Sequence, residues 1–329
     1  MSLLVYIILI LAAAAIWQLV RVVELSGKLK GVDPNRVTES DNRMQGRLMI
    51  LMYFGLLIFC LWNFFAYKDK LLPVSASEHG VELDWLMEFN MYIIAVVAIV
   101  TNFLLFYMAY KYYGRDGARA TFYPHNNKLE MIWTGIPAVV LFIIIFFGIT
   151  LWNDATSPAA KGTRVVELYS MQFNWKARYG GEDNTLGKSN YLLIDGVNEL
   201  GVDSTDKNAA DDVIVKDTLV LPVGEEVDFR FRSRDVIHSA YFPHFRAQMN
   251  CVPGMETYFH FKPTITTAKM REITKNPEFN YVLLCNKICG AAHYNMQMPI
   301  KIVEKAEYQK WMEATKASGS NGNPYYAKK

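Results

Sequence analysis

Cysteine and net charge are both scarce in this chain, and each shortage excludes a class of protein. Four cysteines in 329 residues are too few for a disulfide scaffold of this size. The net charge is only +2 and no block of basic residues occurs, so nucleic acid is not expected as a partner. No Cys-x-x-Cys-His motif is present, so the sequence predicts no covalently attached c-type haem.

Long apolar runs, in contrast, dominate the first half. Four of them, at 3–20, 48–67, 89–110 and 132–152, are each about as long as a membrane-spanning helix, roughly 20 residues. So many runs in so short a stretch favour membrane spans over buried helices of a soluble protein. The first run could also be a signal peptide, but no basic residue precedes it and an arginine follows it. An uncleaved span with an external N-terminus is therefore predicted.

The loops between these runs differ in positive charge. Residues 21–47 carry six Lys and Arg, residues 111–129 carry four, and residues 68–88 carry two. Because positively charged loops stay in the cytoplasm, the first and third loops are predicted to be cytoplasmic. Everything after residue 152 is then predicted to lie outside the cell or in the periplasm.

The second half of the chain has a different composition from about residue 163. It contains short segments rich in β-branched and aromatic residues, such as RVVELYSMQFNWKARY (164–179) and DVIVKDTLVLPVGEEVDFRFRS (212–233). Several short strands separated by turn signals predict an all-β sandwich or barrel. Beyond them, an amphipathic helix is predicted at 303–317 and a disordered tail at 318–329.

Two cysteines, a histidine and a methionine occur close together in the sequence CNKICGAAHYNM (285–296). Soft thiolate and thioether groups beside an imidazole suit copper or zinc. Their spacing would also place them on one face of a helix, but an internal glycine and the β-rich flanks favour a loop between two strands. The candidate ligands in this loop are Cys285, Cys289, His293 and Met296.

Another ligand has to come from elsewhere, and the strongest candidate is His238 in SRDVIHSAYFP. It follows a β-rich run, as a single histidine ligand does in a cupredoxin barrel. A mononuclear blue-copper site would leave one cysteine over. A zinc site of two cysteines and two histidines would leave Met296 over. Two thiolates can instead bridge two coppers, each completed by one histidine and one weak ligand, and these alternatives stay open on the residues alone.

Three motifs together make the chain resemble cytochrome c oxidase subunit II, which carries a dinuclear copper A centre. They are DVIHS (235–239), the ligand loop at 285–296, and LEMIWTGIP (129–137), which is similar to the start of the family's second membrane helix. The resemblance runs from about Phe89 to Glu304. It implies a membrane-anchored all-β fold, in which four transmembrane helices precede a cupredoxin-like Greek-key β-barrel or sandwich.

The resemblance also implies a ligand set for two coppers. The bridging thiolates would be Cys285 and Cys289. The remaining ligands would be His238 with Met296 on one copper and, on the other, His293 with the main-chain carbonyl of Lys287. In most relatives a glutamate at the position of Lys287 also helps to hold a magnesium ion at the border with subunit I. The lysine therefore makes magnesium doubtful in this chain.

Three further residues acquire roles by the same resemblance. Glu130 would lie at the mouth of a proton-uptake channel shared with subunit I, although a carboxylate at a helix N-terminus is also favoured by the helix dipole alone. Phe173 and Trp175 would form the aromatic run through which electrons arrive. Phe173 replaces the first tryptophan of the family's usual Trp-x-Trp pair, which leaves electron transfer through an indole at that position in doubt.

The expected organisation has four parts. Two additional N-terminal transmembrane helices (1–88) precede a helix hairpin (89–158), a cupredoxin copper A domain (159–304), and a C-terminal helix with a disordered tail (305–329). The two extra helices are not part of the common two-helix subunit.

The resemblance predicts a subunit of a respiratory cytochrome c oxidase in a bacterial inner membrane, with its copper domain in the periplasm. It would take electrons from a cytochrome c and pass them to the haem of subunit I, where oxygen is reduced with proton translocation. Other oxidase subunits and, as an open alternative, a respiratory supercomplex would be its partners.

Six histidines are too few to add a haem–copper site of its own. The alternatives are a membrane-tethered copper carrier, a nitrous oxide reductase, which needs a second copper domain, and a quinol oxidase subunit II, which lacks these ligands.

Overall fold

The four apolar runs form four long helices in the computed structural model, which describes residues 3–29, 31 and 37–317. The helices are α1 (Leu3–Leu29), α2 (Glu39–Tyr67), α3 (Glu78–Lys111) and α4 (Asn127–Thr156). Each is long and apolar enough to cross a membrane, which confirms the four predicted spans. The predicted tail at 318–329 lies outside the described residues.

Helix α3 extends well beyond its apolar run. Its 34 residues make it about 51 Å long, whereas the hydrocarbon core of a bilayer is roughly 30 Å thick. The extra length carries four carboxylates and comes first, because the helix begins at Glu78 and the apolar run only at residue 89. The first turns of α3 are therefore available to pack against protein rather than lipid.

Contacts divide the chain into two units, residues 1–69 with 93–127 and residues 70–92 with 128–329. In the first unit, Tyr53 of α2 packs edge-on against Phe103 of α3, with ring centroids 5.8 Å apart. The Tyr53 hydroxyl donates a hydrogen bond of 3.4 Å to the carbonyl of Ile99. These contacts pair α2 with the membrane part of α3.

The described residues of the second unit form ten strands in two five-stranded sheets. The first sheet has the order β3-β2-β1-β5-β8 and the second β4-β10-β9-β6-β7. The strands are β1 (Arg164–Met171), β2 (Asn174–Tyr179), β3 (Val213–Val215), β4 (Leu219–Pro222), β5 (Val227–Ser233), β6 (His238–Phe242), β7 (Ala247–Cys251), β8 (Thr257–Phe261), β9 (Tyr281–Cys285) and β10 (Gln297–Val303), with helices α5 (Thr267–Thr274) and α6 (Lys305–Ala317). Because successive strands alternate between the two sheets from β4 to β6, the predicted cupredoxin-like sandwich is confirmed.

Aromatic rings fill the space between the two sheets. Phe261 stacks on Phe229 at 4.9 Å and on Phe245 at 5.0 Å between ring centroids, and Phe245 continues to Tyr281 at 4.8 Å. Side chains along β10 alternate between exposed and buried from Gln297 to Ile302. This period of two is the one expected for a strand with one face on a core.

The start of α3 is fixed to the sandwich within this second unit. The Arg246 guanidinium donates to both carboxylate oxygens of Asp84 at 2.7 and 2.9 Å. The Ser77 hydroxyl donates to the carbonyl of Phe245 at 2.7 Å, and the Ala76 amide donates to that of His244 at 2.7 Å. The polar extension of α3 thus works as an anchor for the β-domain.

The outer face of the first sheet is buried as well, under the segment that joins β2 to β3. Arg178 of β2 donates to Asp212 at 3.0 Å, to the carbonyl of Gly187 at 2.9 Å and to Glu167 of β1. Arg232 of β5 contacts the same Glu167 carboxylate at 3.2 Å. Burial by itself lowers the pKa of Arg178, but the two carboxylates more than offset this and raise it, so the guanidinium stays charged.

We expect Arg178→Met to destabilise the β-domain by about 3–5 kcal/mol, because the buried Glu167 and Asp212 carboxylates would lose their common partner. Urea unfolding of the detergent-solubilised chain, followed by tryptophan fluorescence, measures this free energy of unfolding. The matched control is Lys301→Met, which removes an exposed partner of Glu307 and should change it by less than about 1 kcal/mol. Equal losses in both variants would contradict this account of the covered sheet.

Candidate metal centre

The sheet order brings the two ligand-bearing segments together. Cys285 ends β9, and β10 begins at Gln297, so the ligand sequence forms the loop between two neighbouring strands, as predicted. On the other side of β9 lies β6, in which Ala240 is paired with Cys285. His238, two residues before Ala240, therefore starts its strand beside the loop.

Three donor atoms converge at this point. The Cys285 and Cys289 sulfurs are 3.8 Å apart, and His238 Nδ1 lies 3.8 Å from Cys285 Sγ. All three ligand atoms are within 4.8 Å of one another.

The other predicted ligands adjoin the same sulfurs. His293 Nδ1 lies 3.6 Å from Cys289 Sγ, Met296 Sδ 3.8 Å from Cys289 Sγ, and the carbonyl oxygen of Lys287 3.2 Å from Cys285 Sγ.

The separation of the two sulfurs fits a shared metal. It is far longer than a disulfide bond, which is about 2.05 Å. Two thiolates each about 2.3 Å from one tetrahedral metal stand roughly 3.8 Å apart. A donor set of two thiolates, two imidazoles and a thioether suits copper or zinc and not magnesium or calcium.

The Cys289 thiol is shielded from water, and this affects how a metal would bind. Burial raises the pKa of the Cys289 thiol to about 11, and the neighbouring Cys285 adds to the effect. Without a metal, Cys289 is therefore protonated at neutral pH. A metal ion must displace that proton, so its affinity increases with pH.

Asp235 orients the histidine ligand, and sequence reasoning did not identify it. Its Oδ1 lies 2.8 Å from Nε2 of the fully buried His238, which leaves Nδ1 directed at the sulfurs. A carboxylate on the far ring nitrogen fixes the tautomer of a metal-binding histidine. The other oxygen, Oδ2, accepts a hydrogen bond of 2.8 Å from the main-chain amide of Gln172. Asp235 occurs three residues before His238 in DVIHS, and this spacing was the available signal.

The two predicted aromatic residues lie at different depths beside the centre. Trp175 is fully buried, with its ring edge-on to His238 and centroids 6.3 Å apart. Phe173 is half-buried in the turn between β1 and β2 and packs against Gly290 of the ligand loop. The side-chain amide of Gln172 donates a hydrogen bond to the carbonyl of Cys289 at 2.5 Å. Gln172 was also missed, because nothing in the sequence links the turn to this loop.

Glu130 lies away from these groups in the sequence and in the fold. It is exposed in the first turn of α4, where the helix dipole favours a carboxylate. The side chain of Lys287 is exposed, whereas its carbonyl oxygen faces the sulfur of Cys285.

Comparison with known proteins identifies the family. The profile "Cytochrome C oxidase subunit II, transmembrane domain" matches residues 66–151, and "Cytochrome C oxidase subunit II, periplasmic domain" matches residues 165–304. The chain is 32% identical over 222 residues to the alternative cytochrome c oxidase subunit 2 of Bradyrhizobium diazoefficiens, covering 66% of this chain and 75% of that protein.

Two other similarities are more distant. The chain is 26% identical over 251 residues to cytochrome c oxidase subunit 2 of Cereibacter sphaeroides, covering 73% of this chain and 78% of that protein. The solved periplasmic domain of cytochrome oxidase subunit II from Bradyrhizobium japonicum is 23% identical, with 49% of this chain and 97% of that domain covered and a TM-score of 0.33.

The family profiles cover both the membrane helices and the β-domain, and the family is that of the copper A subunit of haem–copper oxidases. The chain therefore belongs to the cytochrome c oxidase subunit II family, as a membrane protein with a periplasmic C-terminal domain that accepts electrons within a haem–copper oxidase complex.

Proposed function

We propose that this chain holds a dinuclear copper A centre, takes electrons from a cytochrome c on the periplasmic side of a bacterial inner membrane, and passes them to the haem of subunit I. The observation that carries the proposal is the pair of cysteine sulfurs 3.8 Å apart, each beside its own imidazole. Oxygen reduction and coupled proton translocation would follow in subunit I.

Two metals account for the donors better than one. His238 lies beside the Cys285 sulfur and His293 beside the Cys289 sulfur, so the imidazoles are divided between the thiolates. A single zinc would take four donors and leave over the buried Met296 sulfur and the Lys287 carbonyl. Two coppers would be held by all six donors if both thiolates were shared between them.

When bound, such a pair of coppers supplies a one-electron carrier whose total copper charge falls from +3 to +2 as the donor haem iron goes from Fe²⁺ to Fe³⁺. The residues of this chain would keep that carrier in a rigid site that is largely shielded from water. His238, Cys289 and Met296 are all buried in the sandwich edge. Their positions are fixed by strands on both sides, so little rearrangement accompanies the gain or loss of one electron.

The predicted proton role of Glu130 is supported by its side of the membrane. Because the C-terminal domain is periplasmic and α4 crosses once before it, the first turn of α4 faces the cytoplasm. Protons for oxygen reduction and pumping are taken from that side. Glu130 would pass them to a channel shared with subunit I.

The magnesium ion that most relatives hold next to copper A does not fit this chain. Lys287 supplies an ammonium where a carboxylate would be needed as a ligand. A carboxylate with Mg²⁺ carries a net charge of +1, the same as the ammonium alone. Three N–H donors of Lys287 would replace the ion by bonding the same carboxylates or waters of subunit I.

The copper proposal predicts two coppers per chain in the purified oxidase and a mixed-valence EPR signal with seven hyperfine lines, because two shared thiolates delocalise one unpaired electron. Cys289→Ser should leave one copper or none and abolish the seven-line pattern. The control Cys60→Ser changes a cysteine of α2 and should preserve both. Metal analysis that finds one zinc and no copper would overturn the proposal.

The proton proposal predicts that Glu130→Ala slows oxidase turnover but leaves copper content and reduction by cytochrome c unchanged, since proton uptake and electron uptake use different parts of the chain. Oxygen consumption and stopped-flow absorption measure the two processes. Asp154→Ala, an exposed carboxylate near the other end of α4, is the matched control and should turn over normally. Normal turnover in the Glu130 variant would remove this residue from the mechanism.

The magnesium proposal predicts no tightly bound Mn²⁺ in oxidase from cells grown in manganese-rich medium, because Mn²⁺ would occupy the same oxygen site and be visible by EPR. Lys287→Glu should create a bound manganese signal coupled to the copper centre. Lys301→Glu, at an exposed lysine of β10, should not. A coupled manganese signal in the unaltered protein would be incompatible with replacement of the ion by Lys287.

A further inference from the structure

We propose that Gln172 is a positioning residue for electron uptake: its side-chain amide holds the Phe173 ring against the main chain of the ligand loop. This inference rests on the proposed copper centre and adds to it a residue that sets how fast the centre is reduced. Gln172 lies in the turn between β1 and β2, and 117 positions separate it from Cys289 along the chain.

A chain of hydrogen bonds passes through Gln172. It starts at His238, whose Nε2 is 2.8 Å from Asp235 Oδ1. Asp235 Oδ2 accepts from the Gln172 main-chain amide at 2.8 Å, and Gln172 Nε2 donates to the Cys289 carbonyl at 2.5 Å. The two predicted copper ligands on β6 and on the ligand loop are thereby connected through the turn that carries Phe173.

Gly290 leaves the space that this contact needs. A Cβ atom added at Gly290 would lie 2.8 Å from Gln172 Nε2 and 2.9 Å from two ring atoms of Phe173. Its φ of +144° is also a conformation that glycine adopts far more readily than other residues. The amide and the ring therefore both rest directly on the main chain next to the ligand Cys289.

Phe173 is the aromatic side chain of this turn that a donor protein can touch. Its ring is half-buried, whereas Trp175 is fully enclosed. One electron leaves the reduced donor haem iron and arrives at the metal centre, and its transfer rate falls steeply as the gap between them widens. Gln172 keeps that gap short, because its amide closes the turn onto the loop.

Tyr294 offers a competing route. It lies on the ligand loop next to His293, and 88% of its surface is exposed. Among the described contacts, the hydrogen bonds of Gln172 go to Asp235 and Cys289 and not to the side chain of Tyr294. A route through Tyr294 would therefore not depend on Gln172. The two routes can therefore be separated by substitution.

The test uses the intact oxidase complex, with reduction of the copper centre by reduced cytochrome c followed by stopped flow. Gln172→Leu should lower the saturating rate roughly 10-fold, because a displacement of a positioned group by a fraction of an ångström can cost about this much. The donor concentration for half-saturation and the copper EPR signal should not change. The matched control is Gln248→Leu, since the Gln248 amide also reaches the loop, at the Asn286 side chain, but contacts no ligand main chain. It should be reduced at the normal rate.

A double-variant cycle decides whether Gln172 acts through Phe173. Phe173→Leu should slow reduction by itself, and adding Gln172→Leu should slow it no further, because residues that act as one unit are not additive. Losses that multiply would overturn the inference. Slow reduction in Tyr294→Leu together with normal reduction in Gln172→Leu would overturn it as well and assign the route to Tyr294.

Two outcomes separate this inference from the copper proposal. If the unaltered complex lacks two coppers, the copper proposal fails. If it contains them and Gln172→Leu is reduced normally, only the role of Gln172 fails. Gln172→Asn provides a second variant that keeps a polar amide but is one methylene too short to reach Cys289, and it should also be slow. Loss of copper from both Gln172 variants would overturn the inference, because Gln172 would then hold the ligands themselves.

Discussion

The pairing of β6 with β9 is the contact on which the metal centre depends. It sets Ala240 opposite Cys285, and this register places His238 beside the two cysteine sulfurs. A shift by one residue would turn His238 to the other face of the sheet. The register is held by the aromatic core behind the strands, where Phe245 packs on both Phe261 and Tyr281. The packing that stabilises the core therefore also sets the positions of the predicted metal ligands.

If electrons enter as proposed, through Phe173, the first sheet links stability to electron uptake. Its outer face is closed by the buried pairs of Arg178 with Glu167 and Asp212, which fix β1 and β2 relative to the covering segment. The turn between these two strands carries Gln172 and Phe173 and reaches the ligand loop of the second sheet. A mobile β1–β2 hairpin would leave the Phe173 ring at a variable distance from the metal. The buried ion pairs on the outer face of the sheet would thus help to hold Phe173 in place for the proposed electron uptake.

The parts of this structure that sequence could predict are those encoded locally. Run length gave the four spans, and donor spacing with β-rich flanks gave a ligand loop between two strands. Gln172 was missed because its partner Cys289 is 117 positions away along the chain. Asp235 was missed although its partner His238 is only three residues away, because the spacing alone does not show that the carboxylate meets the imidazole. In β2, the charged Lys176 and Arg178 alternate with apolar residues, a pattern that usually indicates a face in water. They are buried because the segment that joins β2 to β3 covers them. The pattern of residues within a strand does not show whether another segment covers its outer face.

A lysine between the two cysteines is tolerated because of how the loop turns. The Lys287 carbonyl faces the Cys285 sulfur, and the side chain of the same residue is exposed. A main-chain ligand is independent of side-chain identity, so the charge at this position can change without changing the atoms offered to a metal. In the proposed complex, the constraint would pass from the metal to subunit I, whose surface would have to accept an ammonium in place of a carboxylate and its cation. Under that proposal, variation at Lys287 is governed by the interface of the complex and not by the metal site.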